Sequence, residues 1–271
     1  PTFAVVLPVY NLVDVVATVL DGLSDTTWGR IDRMIVLDNA SDDGTPNAIR
    51  SFIATNPSIG GRIDLICNKT NLGYGGSVTK GLRLASESSD LVAIMHGDDQ
   101  ADWDTVLHDL LQAFVETPSC DIVLASRFLP GSDTSQFSLA RSLGNHFFNR
   151  ATAWLTGVRM TDAGTAMILS RTKLLTDLPL ESLDQGYMFH PYLNLLLFDG
   201  PGVTATEVPL SWKDASVDNQ FHLFRYGLRL LRVLTLYGVR RRIFSMPPDR
   251  ALGIRSESSG AEGLLHLRTS R

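Results

Sequence analysis

The sequence predicts an α/β protein with a mostly parallel sheet flanked by helices, and three observations carry that prediction. Short apolar runs at residues 3–7, 34–37, 91–95 and 122–125 lack polar alternation, which is how strands buried on both faces read, and 63–67, interrupted by Asp64, reads as a further strand. The first four strands in chain order are each followed by a polar or glycine-rich turn and then by apolar residues at helical spacing. The break after 91–95 is the sharpest, because the apolar run gives way at once to His96, Gly97, Asp98, Asp99, Gln100 and Asp102.

Taken in order, residues 3–7 form a strand closed by Pro8, Val9, Tyr10 and Asn11, with a helix over 13–23. After strand 34–37, Asp38, Asn39, Ser41, Asp42 and Gly44 supply turn formers before a helix over 46–54, where Pro46 suits the first helical position. Strand 63–67 leads into Asn71, Leu72, Gly73, Tyr74, Gly75 and Gly76, whose glycines would let a backbone come close to a ligand. Right-handed crossovers would gather these turns at one edge of the sheet, a mononucleotide-binding layout. The G-x-G-x-x-G spacing and a Walker lysine are both missing, which argues against a dinucleotide fold and an ATPase.

The second half is less regular. A helix over 103–114, a strand at 122–125, a polar loop over 130–138 long enough to be mobile, and a helix over 139–155 carrying Arg141 and Arg150 come first. A turn at 161–165, a strand-like 166–169, a helix over 187–198, an alternating 203–210 and a loop at 211–216 follow. The globular domain is expected over 1–218, with a nucleotide-binding half (about 1–105) and an acceptor half (about 106–218). Residues 219–245 read as a basic amphipathic helix, and the polar tail 246–271 as disordered.

With 271 residues, of which 44% are hydrophobic, the chain can bury a large core, and its net charge of −5 argues against a nucleic-acid partner. Cys67 and Cys120 lack a metal-ligand spacing and sit in strand-like runs, so both are expected as buried thiols in a reducing compartment. A signal segment is not read at the start, and the absence of about 18 consecutive apolar residues argues against a membrane span. A cytoplasmic protein is expected, peripheral at the inner face of the membrane if the basic helix binds lipid.

The carboxylates at 98–104 admit two readings. A hard cation would relieve the crowding of Asp98, Asp99, His96 and the Gln100 amide. Alternatively, Asp98, Asp99, Asp102 and Asp104 favour the dipole of the helix that follows.

The motifs together resemble the inverting family 2 glycosyltransferases of GT-A fold, with the polyprenyl-phosphate sugar synthase branch as the nearest pattern. Pro8, Tyr10 and Asn11 match the opening motif, Asp38 to Thr45 the second, and Asn71 to Gly76 the third; His96-Gly97-Asp98 with Gln100 stands where D-x-D and its trailing Gln lie. The resemblance implies a nucleotide-diphosphate sugar (UDP- or GDP-linked) held by Pro8, Tyr10, Asn11, Asp38, Ser41, Asn71, Gly73, Gly76, Asp98 and Asp99. It implies Mn²⁺ or Mg²⁺ on Asp98, Gln100 and His96, with Arg127 and Arg141 serving the diphosphate or an acceptor phosphate and Asp162 on the acceptor side. Leu12, His96 and the Met167-Ile168 pair depart from the family pattern.

Those residues could neutralise a departing nucleoside diphosphate. His96 is either a direct ligand or a hydrogen-bonding neighbour of a carboxylate. Asp162 is either the base a hydroxyl acceptor would need or an ordinary turn residue. A lipid phosphate, already anionic, needs cationic positioning instead, which the arginines after Ser126 favour. The 221–242 stretch is core-covering, membrane-surface or an oligomer contact. The expected activity is therefore metal-dependent sugar transfer to a polyprenyl phosphate. The alternatives are a soluble hydroxyl acceptor and a catalytically inactive nucleotide-sugar binder.

Overall fold

In the computed structural model, which describes residues 1–135, 137–213 and 220–254, the first half alternates strand and helix. The elements are β1 Phe3–Val9, α1 Val16–Asp21, α2 Asp25–Arg30, β2 Arg33–Asp38, α3 Thr45–Thr55, α4 Pro57–Gly60, β3 Ile63–Cys67, α5 Gly73–Ser86 and β4 Leu91–Ile94. They continue with α6 Trp103–Glu116, β5 Ile122–Ser126, α7 Leu139–Thr156, β6 Ile168–Arg171, α8 Phe189–Phe198, β7 Ala205–Pro209, α9 Gln220–Phe244 and α10 Pro248–Ala251.

A seven-stranded sheet in the order β3-β2-β1-β4-β6-β5-β7 runs through both halves. Period-2 geometry explains why its central strands are apolar throughout: Val5, Leu7 and Val9 of β1 enter one core with α1, α3 and α6, while Ala4 and Val6 enter the other with α5 and α8. Helix α5 lies so close that a Cβ on Gly81 would stand 2.4 Å from a Val6 methyl.

The topology fixes the site. Strand order reverses between β1 and β4, both of which run parallel, so the ends of these strands flank a crevice of the kind that binds ligands. Strand β6 is antiparallel to both β4 and β5. Its entry turn at 161–165 therefore arrives at the edge where β5 ends, as do residues after β7, which is parallel to β5.

Several expectations change. Cys120 is buried but Cys67 is exposed, because β3 is the sheet's edge strand. The 130–138 loop is tied to its surroundings: Ser132 Oγ donates to Ser126 O and accepts from Leu210 N, and Asp133 O accepts from Trp212 N. Helix α9 carries apolar residues on both faces, Leu230, Leu234 and Tyr237 buried and Leu228, Leu236, Val239 and Ile243 exposed. Within the expected disordered tail, Pro248–Ala251 form α10, and Ala251 and Ile254 are buried, while 255–271, like 214–216 of the last loop, lie outside the described residues.

Candidate active site

The ends of β1 and β2 are stitched together by the very residues that form the first two motifs. Asn11 N donates to Ser41 Oγ (2.9 Å), Leu12 N to Thr45 Oγ1 (2.8 Å) and Val13 N to Asp43 Oδ2 (3.0 Å). Asn11 and Ala40 hold positive φ (52° and 63°), the kind of unfavourable backbone a surrounding network must enforce. Asp38 is 2% exposed, and while Oδ2 accepts from Ser41 N, Oδ1 is buried without a partner. A lone buried carboxylate oxygen at this edge suits an incoming N–H donor. Tyr10 is half exposed beside it in sequence, and Pro8 lies within β1.

The 71–76 turn does bring a backbone close, but that backbone is the protein's own. A Cβ on Gly73 would come 2.5 Å from Gln185 O, and one on Gly75 2.5 Å from Asp184 O, while Gly75 N donates to Gln185 O. Gly76 faces the Gln185 side chain in the same way. Asn71 Oδ1 accepts from Gly73 N and from Asn39 Nδ2, each at 2.8 Å, so the turn is anchored to the end of β2.

In the 96–104 segment the two readings separate. Asp102 caps α6 through Thr105 N, and Asp104 accepts from Ser24 N and Oγ, so these two carboxylates serve the helix start. Asp98 and Asp99 do not join them: both are exposed on the loop, Asp99 at φ 55°. Gln100 is pinned across the edge by its O accepting from Lys213 N at 2.8 Å. Gly97 is required where it stands, because a Cβ there would press on Leu12 and Val9 at 2.9 and 3.0 Å. Leu12, one of the departures from the family pattern, thus packs on the core beneath this loop.

His96 points into an aromatic box. Its ring stacks on Tyr74 (5.5 Å between centroids) and on Trp103 (6.1 Å), with Trp212 edge-on and His190 tilted beside it. The Tyr74 hydroxyl lies 2.7 Å from His190 Nε2 and 3.2 Å from His96 Nε2. Burial pushes the pKa of both histidines down and that of the Tyr74 phenol up, so the cluster is neutral near pH 7.

Opposite, Asp162 accepts from Arg127 through its backbone N (3.1 Å), Nε (2.7 Å) and Nη2 (2.8 Å). Every side of the 161–165 turn is held as well. Asn149 donates to Thr161 O and accepts from Ala163 N, Glu207 accepts from Thr161 N, and Asn194 donates to Ala163 O and Thr165 O. Arg127 in turn lies 6.0 Å from the Trp212 ring. Arg141 sits on the first turn of α7 with its guanidinium 4.1 Å over Phe137.

Asn39, Tyr74, Asn149, His190, Asn194 and Trp212 are thus parts of the site that reading the sequence missed. No sequence spacing links His190 to His96; only the antiparallel entry of the second half brings them together. Among the described residues no group of three or more His, Cys, Asp or Glu could hold a metal unaided; the expected donors Asp98, Gln100 and His96 lie together on the segment between β4 and α6.

An open α/β sheet with a crevice at its switch point, edged by carboxylates and lone buried acceptors, defines a protein of the nucleotide-binding class. More narrowly, the chain belongs to glycosyl transferase family 2, whose model matches residues 4–176. Over 99 residues it is 28% identical to the amylovoran biosynthesis glycosyltransferase AmsB of Erwinia amylovora, a stretch covering 36% of this chain and 31% of that relative. Glucosyl-3-phosphoglycerate synthase from Mycobacterium tuberculosis, solved with Mn²⁺, UDP and glucosyl-3-phosphoglycerate, is similar in fold. The TM-score is 0.62 at 18% identity, covering 94% of this chain and 81% of that one. The same enzyme with Mn²⁺, UDP-glucose and phosphoglyceric acid gives a TM-score of 0.62 at 19% identity, over 94% and 81% of the two chains. The fold is accordingly GT-A.

Proposed function

We propose that the protein transfers a sugar from a nucleotide-diphosphate sugar to a polyprenyl phosphate at the inner face of a membrane, with inversion. The observation that carries the acceptor assignment is the Arg127–Asp162 pair: Asp162, the candidate base on the acceptor side, is 1% exposed and fully engaged by a guanidinium. A hydroxyl acceptor must give up a proton to a group within reach. A phosphate has none to give, and a site whose carboxylate serves as a strut suits it.

On the donor side, Asp38 Oδ1 would accept an N–H of the base, with Tyr10 and Pro8 beside the nucleoside and Asn11, Ser41 and Asn71 holding the turns that frame it. Asp98, with Gln100 and His96, would hold Mn²⁺ or Mg²⁺; when bound, the cation supplies neutralisation of the charge that grows on the departing diphosphate. Arg127, aimed by Asp162 toward Trp212 and His96, orients the reacting phosphate, and Arg141 adds positive potential from α7. Aromatic rings around His96 keep water from that side of the site.

The exposed surfaces of α7 and α9 support a membrane location. Leu139, Leu143, Phe147 and Trp154 stand exposed along one side of α7, and α9 adds Leu228, Leu236, Val239 and Ile243. Both helices carry arginines and neither contains an aspartate or glutamate, although the whole chain is negative. A soluble hydroxyl acceptor is the second reading, favoured by the matched relative, which is named for amylovoran biosynthesis and not for a lipid phosphate. Incubation with radiolabelled UDP- and GDP-hexoses, Mn²⁺ and polyprenyl phosphate in vesicles separates the readings. Solvent-extractable label is expected, label only in water-soluble product selects the hydroxyl acceptor, and donor binding without any transfer or hydrolysis selects an inactive binder.

A further inference from the structure

We propose that Lys80, Asn68 and Asn39 are positioning residues for the nucleotide: a relay of amides, set in one direction by the Lys80 ammonium, holds the 71–73 turn against the end of β2, beside the unpartnered oxygen of Asp38. The inference rests on the donor-side reading above and deepens it, and neither Asn68 nor Lys80 belongs to the motifs that suggested the site.

The need arises in the sequence. Helix α5 opens on Leu72, whose side chain offers no acceptor, so the amides entering the helix must find partners elsewhere. Leu72 N donates to Asn39 Oδ1 and Gly73 N to Asn71 Oδ1, each at 2.8 Å. Asn39 Nδ2 donates to Asn71 Oδ1 at 2.8 Å, and Asn68 Nδ2 donates to Asn39 Oδ1 at 3.4 Å and to Ser77 Oγ at 3.2 Å. Lys80 Nζ closes the relay on Asn68 Oδ1 at 2.8 Å. Every link runs one way. An ammonium and a backbone N–H can only donate, so the atoms facing Lys80 and Leu72 are amide oxygens, and the amino groups of Asn68 and Asn39 are left to point toward Asn71. Asn39 and Asn68 are 5% and 8% exposed, and an amide turned the other way there would bury two donors against each other. The same two residues adjoin Asp38. Asn39 follows it in sequence, Asn68 N donates to its carbonyl oxygen at 2.8 Å, and Asp38 Oδ1 is the buried acceptor without a partner. A turn ordered before the nucleotide arrives does not have to be ordered by it, which removes that cost from binding.

Calorimetric titration of the full chain with UDP and with GDP, in Mn²⁺, tests the relay through Lys80→Met, Asn39→Ala and the double variant. Each single substitution should weaken the nucleotide that the wild-type protein binds by about tenfold, the scale of one buried hydrogen bond. The double variant should lose no more than the weaker-binding single one, because both substitutions break the same relay. In turnover the loss should fall on donor KM rather than on kcat. Losses that multiply in the double variant, or nucleotide affinity unchanged in the single ones, overturn the inference and leave the proposed function standing. A wild-type protein that binds neither nucleotide is a different result and defeats the donor-side reading itself. Where the variants fail to fold, hydrogen exchange in the wild-type protein decides: the Leu72 and Gly73 amides are expected to be protected before nucleotide is added, and exchange at the rate of an unbonded loop overturns the inference.

Discussion

Asp162 gives both carboxylate oxygens to Arg127, Oδ2 to Nε at 2.7 Å and Oδ1 to Nη2 at 2.8 Å, and it does so almost wholly out of solvent. Removing one partner of such a pair leaves the other charge buried and unpaired, at a cost of about 3–5 kcal/mol. Asp162→Ala should therefore lose stability on that scale in urea unfolding, with Asp162→Asn losing less because its amide oxygen can still accept from Arg127. Transfer activity should fall with stability through the series. An Asp162→Asn protein of normal stability and no activity at any pH would return the residue to the role of base.

The two histidines under the site set a pH dependence. An unfolded histidine titrates near about 6.5. Burial holds His190 well below that value, and His96 is lowered in the same direction. Above about 6.5 neither state takes the proton, so stability is flat with respect to these groups. As pH falls below about 6.5 the unfolded chain gains protons that the native rings refuse, and stability declines. Denaturant midpoints measured from pH 7.5 to 5 should slope downward, and His190→Phe should flatten the slope. An unchanged slope in that variant would place His190 outside the titration.

The strands at the centre were legible because burial on both faces leaves an unbroken apolar run, as in β1 and β4, and the turns because Asp, Asn and Gly have few other uses after such runs. The antiparallel placement of β6 between β4 and β5 was not legible, since periodicity reports which face is buried and not which strand lies alongside. Three features of the site follow from that gap. Gly73 and Gly76 read as nucleotide-binding, and periodicity gives no sign of Gln185, which lies beside both from a distant part of the chain. Asp162 reads as either a base or a turn residue, with no sign of its partner, Arg127, which lies on the neighbouring strand's exit. His190 stands in no motif and is buried, and only its contact with Tyr74 marks it as part of the site.

Gly81 and Gly29 offer a matched pair for the packing of helices on the sheet. A Cβ at Gly81 would meet Val6 at 2.4 Å and Leu37 at 2.7 Å, whereas one at Gly29 would meet nothing within 4 Å. Overpacking typically costs about 1–3 kcal/mol, so Gly81→Ala should lower the urea midpoint accordingly. Gly29→Ala, inside α2, should be neutral or raise stability by up to about 1 kcal/mol through helix propensity. Equal effects at the two positions would mean that α5 can move off the sheet.

Asp98 offers the direct check on the cation. Ligands that bind only the native state stabilise it by mass action, by about 2.7 kcal/mol at a hundredfold excess over Kd, and so raise the melting temperature. With UDP and Mn²⁺ together the wild-type protein should shift upward in a thermal melt, and chelator should remove most of the shift. Asp98→Asn should behave with Mn²⁺ as the wild type does in chelator, while its melting point without ligand stays near normal because the residue is exposed on its loop. A full Mn²⁺-dependent shift in Asp98→Asn would move the metal elsewhere.

The surface of α7 makes the last prediction. Trp154 is 76% exposed on a helix that buries only Thr152 and Thr156, and the exposed Leu143 and Phe147 share its side at helical spacing. Exposed arginines lie on the same helix pair, Arg150 on α7 and Arg225, Arg232 and Arg242 on α9. Near an anionic bilayer each such cation contributes about 1 kcal/mol, and an apolar stripe alone would not distinguish lipid charge. Vesicles containing anionic lipid should therefore blue-shift the Trp154 emission and float with the protein, neutral vesicles should do so weakly, and about 0.5 M salt should release it, since screening at that strength is short-ranged. Replacing Leu143 and Phe147 with Ser should abolish flotation without changing donor hydrolysis, because neither side chain is part of the site. Flotation indifferent to both lipid charge and these substitutions would mean that the exposed side of α7 meets a protein instead.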